Sequence, residues 1–224
     1  MIPYTLIHSR RKTIALHIRD GQLEVRAPLN VSKNEIERFI ALKSNWITDK
    51  LRQSSTQLAQ RETFELSYGS NVLYRSKLCP IEAKSGSQIG FDGSCFYMPL
   101  SLQPSEIKAA CVKIYRLLAK QYIPERVRAI AAGMGVVPSR VSINGAKTRW
   151  GSCSSKKSLN FSWFLMMADD TVIDYVIIHE LAHITQMNHS AKFWEVVAAT
   201  MPDYNIQRAA LKQLQQRLRT ENWR

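Results

Sequence analysis

The chain has 224 residues, of which 45% are hydrophobic, 31 basic and 18 acidic, for a formal net charge of +13. That length suits one large domain or two small ones and can bury about 70% of the unfolded surface. No run of 18 apolar residues occurs, which argues against a spanning helix. Cys79, Cys95, Cys111 and Cys153 form no CxxC pair, which argues against a disulfide scaffold and a thiolate zinc site.

The N-terminus, MIPYTLIHSRRKT, lacks the basic start and long apolar region of a signal peptide, so a cytoplasmic protein is expected. Residues 4–27 predict a β-meander. Ile14, Leu16 and Ile18 alternate with polar residues, Asp20-Gly21 supplies a hairpin turn, and Leu23, Val25 and Ala27 alternate on the return strand. Ser32 and Glu35 form a capping-box signature, and the stripe Ile36, Phe39, Ile40, Trp46, Ile47 predicts a helix to about Leu51. The polar run 52–62 reads as loop or frayed helix end. Short strands are expected near 64–68, 71–78, 80–84, 88–91 and 94–98, with turns at Gly69-Ser70, Gly86-Ser87 and Asp92-Gly93.

Beyond Pro99 and Pro104 the composition turns helical. Ile107, Cys111, Ile114, Leu117, Leu118 and Ile123 make an apolar stripe. Pro124 is expected to kink or end that helix, and a second segment runs on until Gly133-Met134-Gly135 and Pro138 stop it. Residues 139–162 read as two strands flanking the loop Lys147-Thr148-Arg149-Trp150-Gly151-Ser152-Cys153-Ser154-Ser155. The fold class is therefore α+β: a β-rich part over residues 1–100 with one helix, then a helical part over 101–224 whose HExxH run, His179 to His183, makes it zincin-like.

The densest chemistry lies in TVIDYVIIHELAHITQMNHSAKFW, residues 171–194. On a helix, residues four apart share a face, so His179 and His183 point the same way with Glu180 beside them. Asp170 or Thr171 can cap this helix, with Asp174 completing a capping box, and its apolar residues lie nearly all round, which marks it as buried. Asn188 suits a left-handed residue that turns the chain back, so that His189 can join the same metal. Ser190 can then cap a helix with Phe193, Trp194 and Val197 on its apolar face. Three neutral histidines leave Zn2+ its full charge and an open position, which is the catalytic arrangement. The metal acidifies its bound water to a pKa of about 7, and Glu180 takes the proton. Manganese or cobalt also suits such a ligand set.

Around this centre, Lys147 or Arg149 can offer charge to a substrate carboxylate, a phosphate or a developing oxyanion, or Arg149 and Trp150 can simply pin the loop. Tyr204 can donate a hydrogen bond to a tetrahedral intermediate or serve as a packed tyrosine. The basic balance, with Lys156 and Lys157, admits an anionic partner such as nucleic acid or a nucleotide. The function indicated is a zinc metallopeptidase acting on a peptide or protein. Hydrolysis of a nucleotide phosphoanhydride on the same metal is the alternative.

The run Lys147 to Ser154, Leu159-Asn160, Val172 to Val176 leading into His179-Glu180-Leu181-Ala182-His183, then Asn188-His189-Ser190 and Phe193-Trp194, resembles the YgjP-like metallopeptidase domain family. The similarity extends to Arg11-Lys12-Thr13, Ala27-Pro28 and Lys43 with Trp46-Ile47. The resemblance implies zinc on His179, His183 and His189 and catalysis by Glu180. Through the related SprT-like proteases it also suggests a DNA-binding protein whose protease activity is triggered on DNA. Two departures stand out: Ala168-Asp169-Asp170 replaces an expected Ala-Pro, and the loop begins Asn144-Gly145-Ala146 in place of a longer polar run.

Overall fold

The computed structural model describes residues 2–223 and confirms the α+β class. In chain order the elements are β1 (Tyr4–Ser9), β2 (Ala15–Arg19), β3 (Gln22–Pro28), α1 (Lys33–Leu42), α2 (Ser44–Glu62), β4 (Asn71–Tyr74), β5 (Lys77–Lys84), β6 (Gly90–Phe91) and β7 (Phe96–Pro99). There follow α3 (Pro104–Met134), β8 (Arg140–Asn144), β9 (Gly151–Cys153), β10 (Ser158–Ser162), α4 (Asp170–Ala182), α5 (Ala191–Thr200) and α6 (Tyr204–Arg217). Among the described residues no helix is long and apolar enough to cross a membrane.

The described residues form two compact units, residues 2–64 with 217–222, and residues 65–216 with Trp223. Glu65 to Pro99 thus fall in the second unit together with α3. The reason is packing: Phe96 lies 5.0 Å from Tyr115 of α3 between ring centroids, and the Tyr115 hydroxyl donates to the Leu73 carbonyl.

In the first unit the strand order is β1-β3-β2, not a meander. β2 and β3 form the expected hairpin across Asp20 and Gly21, both left-handed at φ 47° and 75°. β1 instead pairs parallel with β3. Leu23, Val25 and Ala27 make β3 the buried central strand, and a central strand needs a ladder partner on both edges. The Ser32–Glu35 capping box is present. The single helix expected after it is two, broken at Lys43, a residue with no glycine or proline signature. α2 also continues through the polar run to Glu62. Its Ser54 hydroxyl accepts from the Gly21 N–H, so contact with the hairpin overrides weak local propensity.

In the second unit one sheet has the order β4-β5-β7-β6. The expected strand over 71–78 is split by a turn at Arg75 and Ser76, both left-handed at φ 48° and 63°. Residues 64–68 form no strand, and only Gly90–Phe91 pairs within 88–91. α3 runs unbroken through Pro124. Buried Ile114, Tyr115 and Ala119 before the proline and Val127 and Ala131 after it hold both halves to one core. Gly135 ends the helix in the left-handed region at φ 64°, as its position suggested. The second sheet has the order β8-β10-β9, with β8 parallel and β9 antiparallel to the central strand. β9 lies inside what the sequence presented as loop.

α4 is buried nearly all round: Val172, Ile173, Tyr175 to Ile178, Leu181 and Ala182 are all shielded. Its N-cap is Asp169, whose carboxylate accepts from the Thr171 N–H at 3.0 Å. Neither Asp170 nor Thr171 caps the helix, and Asp174 completes no capping box. Both aspartates bind arginines instead. Asp170 takes a two-pronged bond from Arg75 and a 3.1 Å bond from the Tyr122 hydroxyl, and Asp174 takes both prongs of Arg126. The Arg75 and Ser76 N–H groups also bond the Met166 and Met167 carbonyls just upstream.

Arg75 holds the Asp170 carboxyl below its ordinary value of 3.8. A lowered carboxylate stabilises the fold above its unfolded pKa and loses that contribution as pH falls through the folded value. We expect Asp170→Asn to lower unfolding free energy at pH 7 by about 1 kcal/mol, the charged-bond range discounted for partial exposure. Urea melts of both proteins should show the difference shrinking below about pH 4, near the ordinary carboxylate pKa.

Candidate metal centre

His179 lies in the last turn of α4, and His183 is the residue that ends the helix, at φ −64° and ψ −17°. The chain then coils through successive tight turns. The N–H groups of Ile184 and Thr185 bond the carbonyls of Leu181 and Ala182, and that of Gln186 bonds Ala182. This replaces the expected left-handed Asn188, whose φ is not positive. These turns set His189 beside the other two histidines. Ligand nitrogens of His179, His183 and His189 all lie within 4.8 Å of one another. The three ring centroids form a near-equilateral triangle with sides of 5.0, 4.8 and 5.0 Å.

The donor set fits a tetrahedral cation. The Nε2 atoms of His179 and His189 are 3.0 Å apart. Two nitrogens each 2.0–2.1 Å from zinc at the tetrahedral angle would be separated by about 3.3 Å. The Nδ1 of His183 is 3.0 Å from the Gln186 carbonyl, so its proton resides there and Nε2 keeps its lone pair for a metal. Phe193 underlies all three rings, 4.9, 4.6 and 4.7 Å from them. The sequence marked Phe193 only as part of an apolar face. Its role as the floor of the triad depends on the turn that returns the chain, which periodicity does not encode.

Glu180 is 6% exposed and makes no hydrogen bond or ion pair among the described residues. Burial pushes its carboxyl up to about 7, and the positive charge of Arg149 opposes the rise. Burial and the neighbouring histidines push His179 down to about 3, and burial lowers His183 as well. Isolated, strongly perturbed groups of this kind mark functional sites.

The other anticipated residues are placed unequally. Arg149 is exposed in the loop before β9, within electrostatic reach of Glu180, and Lys147 is exposed in the same loop. Tyr204 stacks on Trp194 at 5.2 Å and on Tyr175 at 6.5 Å, and Trp194 in turn lies 5.8 Å from His189. Tyr204 thus adjoins the triad through Trp194. Sequence reasoning missed Gly151. A Cβ there would lie 2.6 Å from the Glu180 Cγ, so only glycine lets β9 lie against the carboxyl.

A family model described as YgjP-like, metallopeptidase domain matches residues 12–214, and the chain belongs to that family. No curated protein matches it. Two crystal structures of metallopeptidase zymogens are similar in part. Abylysin of Pyrococcus abyssi is 19% identical over 45% of this chain and 97% of its own, with a TM-score of 0.38. Jannalysin of Methanocaldococcus jannaschii is 23% identical over 42% and 96%, with a TM-score of 0.37.

The Gly151 contact gives a test that needs no activity. Gly151→Ala should lower unfolding free energy by about 1–3 kcal/mol through overpacking. Glu180→Ala removes the atoms that the new methyl meets, so the double variant should be more stable than the two single losses added together. A double-mutant cycle from urea melts measures this coupling.

Proposed function

We propose that this member of the YgjP-like metallopeptidase family is a zinc-dependent peptidase, with His179, His183 and His189 holding the metal and Glu180 as the general base. The observation that carries the reading is the juxtaposition of three converging imidazoles with a buried carboxyl that has no other partner. When bound, zinc supplies Lewis-acid chemistry, polarising a scissile carbonyl and acidifying water.

The protein side of the reaction follows from its own groups. His183, anchored to the Gln186 carbonyl, and the rings of His179 and His189, set on Phe193, present fixed lone pairs. Glu180 orients the attacking water, accepts its proton and returns that proton to the leaving amine. Its burial raises its basicity above that of a solvated carboxylate. The four unpaired cysteines fit a reducing compartment, which supports a cytoplasmic location.

Alanine at His179, His183 or His189 should reduce zinc from about one ion per chain to none, by elemental analysis of metal-replete protein. Glu180→Gln should keep the zinc and lose cleavage of unfolded casein by about 10²–10⁴-fold, the range for general acid–base catalysis. Phosphate release from nucleoside triphosphates with the casein left intact would overturn the peptidase reading.

A further inference from the structure

The sheet β8-β10-β9 has two unlike faces. Leu159 and Phe161 are buried in the core, and the register puts Gly151 and Cys153 opposite them, on the side where Glu180 lies. Asn160 and its neighbours Ser152 and Ser142 turn to the other side. There, a cavity of about 80 Å³ is lined by residues that include Asn144, Arg149, Gly151, Ser152 and Asn160. It has room for a planar charged group and the atoms next to it, not for a bulky side chain.

Ser162 and Ala146, also in the lining, are bonded to each other, but part of the hydrogen-bonding capacity of this cavity is unused. Arg149 makes no hydrogen bond or ion pair among the described residues, and the Ser152 hydroxyl has no bond either. Asn144 Oδ1 accepts from the Ala146 N–H at 3.0 Å, which leaves its own amide N–H groups available. Asn160 Oδ1 is buried without a partner, a state that costs free energy until a donor arrives. No acidic side chain lines the cavity. A guanidinium among neutral donors selects a planar anion that it can grip with two parallel bonds, and a carboxylate is that anion. The orphaned acceptor calls for an N–H beside it.

The cavity lies across strand β9 from Glu180, with only that edge strand between them. Gly151 forms part of its lining and at the same time packs on Glu180, and Arg149 exerts its charge on the Glu180 carboxyl.

We propose that Arg149 and Asn160 form a subsite for a carboxylate of the peptide substrate, Arg149 binding the carboxylate oxygens and Asn160 the adjoining amide N–H. The inference rests on the peptidase reading and names the substrate chemistry of that site. The carboxylate belongs either to a peptide C-terminus or to an acidic side chain.

Calorimetric titration of the zinc-loaded full chain tests the subsite without turnover, so a failure of peptidase activity and a failure of this proposal are separate results. The probes are N-acetyl-glycyl-glycine, its C-terminal amide, and N-acetyl-glutamic acid α-amide. At least one carboxylate probe should bind about tenfold or more tightly than the neutral amide, as a charge-assisted bond predicts, and the better of the two identifies the source. Arg149→Gln should abolish that preference, Arg149→Lys should restore part of it, and Asn160→Ala should weaken it. Zinc content and circular dichroism check that each variant is folded. Equal binding of all three probes, or a preference that survives Arg149→Gln, would overturn the proposal.

Discussion

The structure depends on one constraint: a helix apolar on nearly every side must also carry polar chemistry at its C-terminal end. α4 buries Val172, Ile173, Val176, Ile177 and Leu181, so its position is set by the hydrophobic effect. Glu180 is carried into the same environment by its place in the sequence. A buried carboxyl without a partner is expensive, and burial answers by favouring the protonated form. The stability of the helix thus supports an unfavourable group at the position that the proposed peptidase chemistry assigns to a base.

The two ends of α4 are handled differently. Its first turns are tied down by charge: Asp169 caps, Asp170 meets Arg75 and Tyr122, and Asp174 meets Arg126. Acidic groups here also complement the positive end of the helix dipole. The last turn carries no such anchors and gives way at His183 to a series of tight turns. That irregular backbone is what brings His189 back beside His179. A regular continuation would have carried residue 189 about 9 Å along the axis from residue 183, at 1.5 Å per residue.

Much of this was legible from residue types. The HExxH spacing, the all-round apolar pattern of α4 and the third histidine carry the triad, because helical geometry converts spacing directly into direction. The left-handed glycines at the hairpin and at the end of α3 were legible for the same local reason. What was not legible is decided by distant partners. β1 pairs parallel with β3 because a buried strand needs a second edge, and α2 persists through a polar run because Ser54 meets the hairpin. Asp170 and Asp174 look like capping residues in sequence and become arginine ligands once Arg75 and Arg126 are near. Gly151 looks like any loop glycine until Glu180 is placed beneath it.

The electrostatics of the triad follow from the same packing. Burial over Phe193 disfavours the charged imidazolium, and the two neighbouring imidazoles within 5 Å add to the effect, so His179 is driven down to about 3. At neutral pH that ring is therefore unprotonated, and its nitrogen need not release a proton to accept a cation. Glu180, in the neighbouring position, is shifted the opposite way because its charged form is the unprotonated one. Desolvation thus acts on adjacent residues in opposite directions and yields a neutral imidazole beside a carboxyl of raised basicity. A bound dication would stabilise the carboxylate, just as the guanidinium of Arg149 does, so the metal and Arg149 act in the same sense on Glu180.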